Sequence, residues 1–429
     1  MKKVVITGIG SVTPLGNTFG ASWDSLCAGR SGIRVITRFD ASRLPWNVAG
    51  ELTGFEGGAY LLPKDLLRLD PFVHYAVAAA VMAAGDAGII PSDPSRVTHY
   101  TLPDSAGVII GSSRGGISTL EKALDRSHDS TLSTRHLRLS PYLMPSTTVS
   151  MAASSVAQKL GIRGECLGIS NACASGTNAI GEAFRLVRHG LSPLLIAGGT
   201  EAPICRLSVE GYGRAGALSK NAAFPGKIPV VPRPFDRQRD GFVLSEGASV
   251  MVVEEYEHAV KRDARIYGEI VAYGNTTDSF HMTKPDPEGE ARAIALAMKE
   301  AGIAPEDIDY INTHGTATPL GDSAEAGAIE MIFGKRASVI PASALKSMTG
   351  HMLAASGAFE IACTLMSIKK GIIPPTINLD SKDPECDINI ITKKREAGIR
   401  IALSNSFGFG GVNAVVVLKK IEHACVVSR

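Results

Sequence analysis

Residues 171–177 have the sequence NACASGT, with a cysteine at Cys173. An apolar run at residues 166–170 precedes this stretch, and an Ala/Gly-rich helical pattern from Asn178 to His189 follows it. This order predicts a strand, a tight turn and a helix, with Cys173 at the first turn of the helix. Backbone N–H groups at a helix N-terminus favour a thiolate, so we expect a lowered pKa and a nucleophile at neutral pH. Because a lone cysteine in an apolar setting is more often an inert core residue, other motifs must decide.

Two histidines follow strand-like runs much later in the chain. The motif NTHGTATPLGD at residues 312–322 contains His314, and the motif LKSMTGH at residues 345–351 ends on His351. In α/β folds, sites form at the carboxyl ends of strands. A cysteine and two histidines at such positions indicate a catalytic site rather than three packing residues.

These motifs resemble those of the β-ketoacyl-[acyl-carrier-protein] synthases, condensing enzymes of the thiolase superfamily, and above all the elongating kind with one cysteine and two histidines. The resemblance extends from VVITGIG at residues 4–10 to NSFGFGGVN at residues 405–413. Its most specific markers are residues 312–322, residues 346–351 and the FGFGG loop. It implies an α/β, thiolase-like fold: a duplicated, five-layered αβαβα arrangement.

The resemblance divides this fold into two halves. Residues 1–264 form the N-terminal half, with the nucleophile and cap insertions, and residues 265–429 form the half with both histidines. The sequence carries a weak internal repeat, because small-residue helices follow Cys173 and His351 alike. We expect the two helix N-termini to meet near a shared axis.

Strand-like and helical runs alternate without a low-complexity linker, which predicts a largely parallel sheet. The clearest predicted strands are Lys3–Thr7, Ser105–Ile110, Leu194–Ala197, Ala248–Glu254, Arg400–Ser404 and Ala414–Leu418. The clearest predicted helices are Phe72–Ala87, Pro145–Leu160, Glu288–Ala301, Ala324–Phe333 and Met352–Ile368.

The resemblance implies a 3-oxoacyl-[acyl-carrier-protein] synthase of fatty-acid elongation. Cys173 takes an acyl group from a carrier-protein thioester, and a malonyl thioester then loses CO₂ and attacks the acyl-enzyme. His314 and His351 are expected to donate hydrogen bonds to the negative thioester oxygen. The backbone N–H groups of Cys173 and Phe409 are expected to form a second oxyanion hole, with Phe409 as a gate.

Other residues receive supporting roles from the same resemblance. Lys346 is expected to be a buried cation, and because an unpaired buried ammonium is costly, it needs a carboxylate partner, which the resemblance gives as Glu325. No cofactor is expected apart from a structural monovalent cation. The resemblance gives its ligands as Asn312, Glu360, Ser404 and Asn405. The alternative is that these four residues are ordinary polar residues of the core that hydrogen-bond to their neighbours.

The acyl pocket is where this chain departs from the family. Arg114 stands where a small or aliphatic residue is usual, and a buried guanidinium is costly unless paired. Arg114 therefore turns away, shortens the pocket or meets a polar acyl end, and Leu143 is a further candidate to limit the pocket. The mouth of the site is expected at Asp278, Thr316 and Thr318.

Composition limits the partners. The net charge of +2 does not indicate binding to nucleic acid or to an anionic membrane. No apolar run is long enough to span a membrane. The seven cysteines lack paired spacing and fit a reducing cytosol, so a cytoplasmic protein is expected, with Cys166, Cys205 and Cys363 in the core. An acyl carrier protein is the expected macromolecular partner. Its docking residues would be Lys64, Arg68 and Arg138, although scattered basic residues are by default a solvated face.

Two alternatives share the motifs. One is a ketosynthase subunit of a type II polyketide or polyene pathway. The other is a non-enzymatic chain-length partner, which Cys173 argues against because such partners lack the nucleophile. A homodimer is the expected assembly, and a heterodimer is its alternative. A degradative thiolase is disfavoured, since it needs a second cysteine where this chain has the FGFGG loop.

Overall fold

The computed structural model describes residues 1–91, 102, 104–128, 139–220 and 230–421. Within these residues the strands are β1 (Val4–Val12), β2 (Arg34–Val35), β3 (Val48–Ala49), β4 (Gly107–Gly111), β5 (Cys166–Ile169), β6 (Leu194–Glu201), β7 (Gly247–Glu255), β8 (Gly268–Thr277), β9 (Tyr310–Asn312), β10 (Pro341–Ser343), β11 (Ile372–Ile373), β12 (Asn389–Ile390), β13 (Arg395–Glu396), β14 (Ile401–Gly408) and β15 (Val412–Lys419). The α-helices are α1 (Phe19–Cys27), α2 (Pro63–Arg68), α3 (Pro71–Asp86), α4 (Ile117–His128), α5 (Leu143–Thr147), α6 (Met151–Leu160), α7 (Ser175–Arg188), α8 (Arg206–Arg214), α9 (Tyr256–Lys261), α10 (Pro287–Ala301), α11 (Pro319–Phe333), α12 (Lys346–Thr349) and α13 (Ala354–Lys370).

Each strand and helix predicted above overlaps at least one of these elements. One predicted helix, however, is divided into two. The helix predicted over Pro145–Leu160 is interrupted, because Thr148 has an extended backbone between α5 and α6. The Thr147 hydroxyl donates to Leu143 O at 3.0 Å, and the Thr148 hydroxyl donates to Met144 O at 2.8 Å. Side-chain donors thus take carbonyls that a continuous helix would use.

Eleven strands form one sheet in the order β12-β10-β9-β14-β15-β8-β1-β7-β6-β4-β5. Along β5-β4-β6-β7-β1, two parallel pairings are followed by two antiparallel pairings. The strands β10-β9-β14-β15-β8 repeat this pattern, and antiparallel pairing of β1 with β8 joins the two sets. The sheet is therefore a duplicated five-strand unit with β12 at one edge. The prediction of a largely parallel sheet is wrong, because each unit continues from its two parallel pairings into two antiparallel ones, which do not require a crossover connection.

The helices complete five layers. Helix α3, with α6 beside it, covers β1, β7 and β6 from one side, and α10, with α11 beside it, covers β8 and β15 from the other. Helices α7 and α13 lie between the two halves of the sheet, against each other and against strands of both halves. The middle layer is packed around Phe184 and Phe359, which are fully buried. This is the αβαβα arrangement expected from the sequence.

The N-terminal ends of α7 and α13 touch in the middle layer, as the internal repeat predicts. A Cβ atom at Gly176 would lie 2.1 Å from the Ala354 carbonyl oxygen, and one at Gly357 would lie 2.0 Å from Thr177 Oγ1. Only glycine permits this approach, which brings the start of each helix to the centre of the molecule. The division at residues 264 and 265 itself stays a prediction.

Candidate active site

Cys173 lies in a 3₁₀ turn, Ala172–Ala174, between β5 and α7. Its position at the start of the helix is as predicted. Ala172 has φ 47°, a left-handed conformation that is uncommon for a residue other than glycine. Such local strain is often found beside functional groups. The turn places the Cys173 side chain, which is 8% exposed, on the wall of a cavity.

His351 reaches this cysteine from the second half of the chain. It follows α12, and its Nε2 lies 3.0 Å from Cys173 Sγ. Its Nδ1 lies 3.1 Å from Ser356 Oγ, in the first turn of α13. The Phe242 ring packs edge-on against the imidazole at 5.1 Å between ring centroids. The ring is thus held from two sides with Nε2 toward the nucleophile.

His314 lies beside His351, with 5.5 Å between the ring centroids. The Lys346 ammonium donates to the His314 carbonyl at 2.6 Å and lies 3.3 Å from its Nδ1. An ammonium carries only donors, so this Nδ1 accepts and the ring proton lies on Nε2. Burial, reinforced by Lys346, holds the pKa of both histidines well below the ordinary value. Both rings are therefore neutral at physiological pH.

Lys346 is buried as predicted, at 1% exposure, but its predicted partner is wrong. The direct ion pair is with Glu360, whose Oε1 lies 2.6 Å from Lys346 Nζ. Glu325 instead accepts the backbone N–H groups of His314 and Gly315, both at 2.8 Å. Glu325 therefore shapes the loop that carries His314, whereas Glu360 of α13 neutralises the lysine.

The predicted low pKa of Cys173 is also wrong. Burial raises the pKa of this thiol to about 11, although Lys346 and the backbone N–H of Phe409 both favour the thiolate. The short 3₁₀ turn at the helix start does not offset the loss of water around the sulfur. The resting group is a thiol that depends on nearby donors when charge develops.

The cavity around these groups has a volume of about 390 Å³. Phe409 and the predicted mouth residues Asp278, Thr316 and Thr318 all line it. Asp278 has a structural role at the cavity wall. Its carboxylate accepts hydrogen bonds from Asn413 Nδ2 at 2.6 Å and from the Asp286 backbone N–H at 3.1 Å. The Thr316 and Thr318 hydroxyls lie 3.0 Å apart, and Thr318 Oγ1 also accepts the Gly321 backbone N–H at 3.2 Å as the N-cap of α11.

Neither of the residues predicted for the acyl pocket lines this cavity. Arg114 is exposed, and its Nε donates to the Tyr212 hydroxyl at 2.9 Å. Tyr212 itself lines the cavity. Leu143 is buried in α5, at 6% exposure. A limit set by Arg114 would therefore act through its neighbour Tyr212.

The four residues predicted to bind a monovalent cation share one property. Each has a buried oxygen with no hydrogen-bond partner among the described residues: Asn312 Oδ1, Glu360 Oε2, Ser404 Oγ and Asn405 Oδ1. Asn312 and Ser404 are register partners on adjacent strands, and Asn312 Nδ2 donates to the Glu360 carbonyl at 3.1 Å. Unpartnered buried oxygens are costly, and amide, hydroxyl and carboxylate oxygens suit a hard cation. The residues present therefore fit such an ion.

The catalytic trio itself has metal-binding atoms close together. Cys173, His314 and His351 place their ligand atoms within 4.8 Å of one another. The Lys346 ammonium adjoining His314 opposes a dication there. The raised thiol pKa opposes it as well, because a metal needs the thiolate.

The remaining predicted positions lie at the surface or outside the described part of the chain. Lys64 and Arg68 are exposed on α2, and Arg138 lies outside the described residues. Cys166 is exposed rather than in the core, because β5 is the last strand of the sheet. Cys205 and Cys363 are buried as predicted. Among the helices described, none is both long and apolar enough to cross a membrane.

Sequence reasoning missed several residues that hold the site together. Glu201 accepts the backbone N–H groups of Ser113 at 2.7 Å and Arg114 at 3.0 Å, and burial raises its pKa to about 7. Phe242 and Ser356 contact His351 from elements distant from Cys173 in sequence. In the sequence Ser356 is one of a run of small residues, and only its hydroxyl distinguishes it from its neighbours.

Comparisons with known proteins agree on one family. The model "Beta-ketoacyl synthase, N-terminal domain" matches residues 1–259, and the corresponding C-terminal domain model matches residues 267–380. A 3-oxoacyl-[acyl-carrier-protein] synthase 2 of Synechocystis sp. is 43% identical over 98% of this chain and 99% of its own length.

Two solved structures extend the likeness to the fold. The ishigamide ketosynthase/chain length factor has a TM-score of 0.88 at 33% identity, covering 98% of this chain and 100% of its own. A type II PKS ketosynthase, solved in complex with its acyl-carrier protein and bound to the hexaketide, has a TM-score of 0.87 at 32% identity over the same shares.

Proposed function

Because this chain belongs to the β-ketoacyl synthase family, we propose that it is a 3-oxoacyl-[acyl-carrier-protein] synthase, an acyltransferase that extends acyl chains in fatty-acid elongation. The observation that carries the proposal is the contact between Cys173 Sγ and His351 Nε2 at 3.0 Å, with His314 beside it, inside one cavity. A nucleophile and two neutral imidazoles are the groups that a decarboxylative condensation requires. The 43% identity to the Synechocystis enzyme supports the same reaction.

The first half-reaction acylates Cys173. Its sulfur forms a bond to the acyl carbon, the carrier's carbon–sulfur bond breaks, and the thiol proton leaves with the carrier thiol. The oxygen of the tetrahedral intermediate is negative, and we assign the backbone N–H groups of Cys173 and Phe409 to stabilise it. Gly408 lets that loop come close, since its Cβ position is 3.3 Å from Cys173 N.

The second half-reaction forms the carbon–carbon bond. The malonyl thioester loses CO₂. The electron pair of the broken carbon–carbon bond is delocalised onto the thioester oxygen, which gives an enolate. The Nε2–H groups of His314 and His351 donate to that oxygen. The enolate carbon then attacks the acyl carbon, the bond to Cys173 breaks, and the sulfur takes up one proton to become a thiol again.

Incubation with an acyl-carrier protein and malonyl-carrier protein tests this proposal. The expected products are CO₂ and a carrier-bound 3-oxoacyl chain two carbons longer, with an acyl adduct on Cys173 in intact-mass spectra. The Cys173→Ala variant is expected to form neither adduct nor product. A thioester adduct on that variant would contradict the role given to Cys173.

A second candidate is a ketosynthase subunit of a type II polyketide or polyene pathway. It is favoured by the likeness to the ishigamide ketosynthase/chain length factor and by the polar Arg114–Tyr212 pair beside the cavity. The chemistry is the same and the acyl substrate differs. Comparing saturated acyl-carrier proteins with oxygenated or unsaturated ones as substrates separates the two candidates.

We further propose a cytoplasmic homodimer that accepts an acyl carrier protein. The exposed edge strand β5, with Leu167 41% exposed directly before the nucleophile turn, supports pairing with a second copy. The ketosynthase solved with its acyl-carrier protein supports the second partner. Light scattering tests the dimer, which a monomeric mass or a mixed complex would contradict. Reversal of the exposed charges at Lys64 and Arg68 tests docking, with a raised KM for the carrier substrate expected.

We also propose that a monovalent cation occupies the site of Asn312, Glu360, Ser404 and Asn405, where it would satisfy buried oxygens and stabilise the fold. Thermal unfolding in potassium, sodium and tetramethylammonium chloride at equal ionic strength tests this. A higher melting temperature in one alkali salt is expected, and equal melting temperatures in all three would contradict the proposal.

A further inference from the structure

The geometry points to Ser356 as the positioning residue that decides which ring nitrogen of His351 carries the proton. No role in the reaction was expected for this serine from the sequence. The inference rests on the proposed function, because its value to the enzyme lies in the malonyl decarboxylation step. It is nevertheless carried by contacts that can be tested without turnover.

The Ser356 hydroxyl makes two contacts among the described residues. Ser356 is 1% exposed, so water does not supply partners. Its Oγ accepts the Met352 backbone N–H at 2.9 Å and lies 3.1 Å from His351 Nδ1. A hydroxyl has one proton to donate, and among the described residues His351 Nδ1 is the acceptor it can reach.

Two arrangements are formally available. If Nδ1–H donated to Ser356 Oγ, the hydroxyl proton would have no acceptor in a buried site, and such an unmet donor is costly. If the hydroxyl donates to Nδ1, all three groups are satisfied: the Met352 N–H, the hydroxyl and the ring nitrogen. The second arrangement is therefore the stable one, and the neutral His351 carries its proton on Nε2.

This tautomer determines what His351 can do. Its Nε2 faces Cys173 Sγ at 3.0 Å, so it presents an N–H donor to the sulfur and to any oxygen bound there. It does not present a lone pair that takes the thiol proton. Ser356 thus holds His351 as a donor for a developing anion, as the decarboxylation step requires, and not as a general base.

Ser356→Ala removes the hydroxyl, and the chain offers a matched control. Ser367 lies on the same helix, is also 1% exposed, and its Oγ has no hydrogen-bond partner among the described residues. Ser367→Ala therefore deletes a buried hydroxyl from α13 without touching His351. Ser356→Thr keeps a hydroxyl on Cβ and serves as the rescue variant.

Three quantities are measured for each variant: CO₂ release from malonyl-carrier protein, acyl-adduct formation on Cys173, and the melting temperature. In Ser356→Ala, CO₂ release is expected to fall about tenfold, the rate equivalent of one lost hydrogen bond, while adduct formation persists. Ser356→Thr is expected to recover CO₂ release, and Ser367→Ala to match the parent. The inference is overturned if Ser356→Ala and Ser367→Ala release CO₂ at the same rate, or if both half-reactions fall together.

A second measurement is independent of catalysis. In ¹⁵N-histidine spectra of the parent enzyme, the His351 signals are those lost in His351→Gln. The expected pattern is a protonated Nε2 and an unprotonated Nδ1, and a protonated Nδ1 would overturn the inference. If the parent released no CO₂ at all, the proposed function would fail, while these spectra would still decide the tautomer.

Discussion

His314 and His351, to which we assign the same role in decarboxylation, lie in different surroundings. Both are buried and neutral, and both line the cavity. At His314 the orienting donor is the ammonium of Lys346, paired with Glu360 in a buried ion pair. At His351 it is the neutral hydroxyl of Ser356.

The difference concerns what each arrangement costs when it is broken. A buried ion pair that loses one partner leaves an uncompensated charge, whereas a lost hydroxyl leaves only an unmet hydrogen bond. We therefore expect the His314 side of the site to be fragile in both stability and rate. Loss of the Ser356 hydroxyl on the His351 side is expected to cost less stability, about 1–3 kcal/mol, and to show mainly in the rate.

The largest effect on the rate is expected when either histidine is removed, which tests the donor role that we assign to both. His314→Ala and His351→Ala are each expected to reduce CO₂ release from malonyl-carrier protein by about 10²–10³, the usual cost of one oxyanion donor. Acylation of Cys173 is expected to survive in part, because the backbone N–H groups serve that step. Normal CO₂ release in both variants would sink the shared role.

Breaking the ion pair between Lys346 and Glu360 tests the feature that distinguishes the surroundings of His314 from those of His351. Lys346→Met strands the Glu360 carboxylate, so unfolding is expected to become easier by about 3–5 kcal/mol, together with a loss of rate. The double variant Lys346→Met/Glu360→Gln removes both charges and is expected to regain most of the stability. It should not regain the rate, because the His314 tautomer stays unspecified. Recovery of both in the double variant would show that Lys346 acts only on the fold.

The sequence predicted where the site residues lie in the fold better than it predicted which side chains they contact. Cys173, His314 and His351 each stand in a local motif after a strand, and short-range patterns of this kind place a residue on its element. The partner of Lys346 is 14 residues along the chain on another helix, and the choice between Glu325 and Glu360 depends on how α12 meets α13. Local patterns do not contain that packing.

The same limit explains the thiol. A helix start predicts a lowered pKa from local dipoles, but the burial that raises the pKa comes from side chains far from Cys173 in the sequence, such as Phe242 and Leu353, that pack around it. The mixed sheet was missed for a related reason, since apolar runs look alike in parallel and antiparallel strands. The pairing of two five-strand units is a property of the duplicated fold, and here the family resemblance was the better guide.

Another buried acid, Glu290, extends the contrast between charged and neutral groups. Glu290 lines the cavity, its Oε2 has no hydrogen-bond partner among the described residues, and burial raises its pKa well above the ordinary 4.5. Below the ordinary pKa both folded and unfolded states are protonated. Above it the unfolded state ionises first, so stability falls as pH rises.

Glu290→Gln removes that titration. Its advantage over the parent in urea unfolding is expected to be small near pH 4 and to grow toward pH 8. Glu288→Gln, an exposed position on the same helix, is the control and should show no such growth. A stability difference independent of pH would mean that Glu290 is ionised in the folded protein.

Arg114 completes the comparison as a cation outside the core, and its replacement is expected to have the smallest effect on the chemistry. Its side chain is exposed and bonded to Tyr212, so Arg114→Ile should leave stability and CO₂ release nearly unchanged, unlike Lys346→Met. Its effect should fall on acyl selection, because Tyr212 lines the cavity and each buried methylene is worth about 0.8 kcal/mol. We expect longer saturated acyl primers to gain in kcat/KM relative to the parent across a series of increasing length. Tyr212→Phe, which removes the hydroxyl that Arg114 holds, is expected to change the profile in the same direction. If neither variant moves it, the acyl end lies elsewhere, and Phe409 or Leu143 becomes the residue that limits chain length.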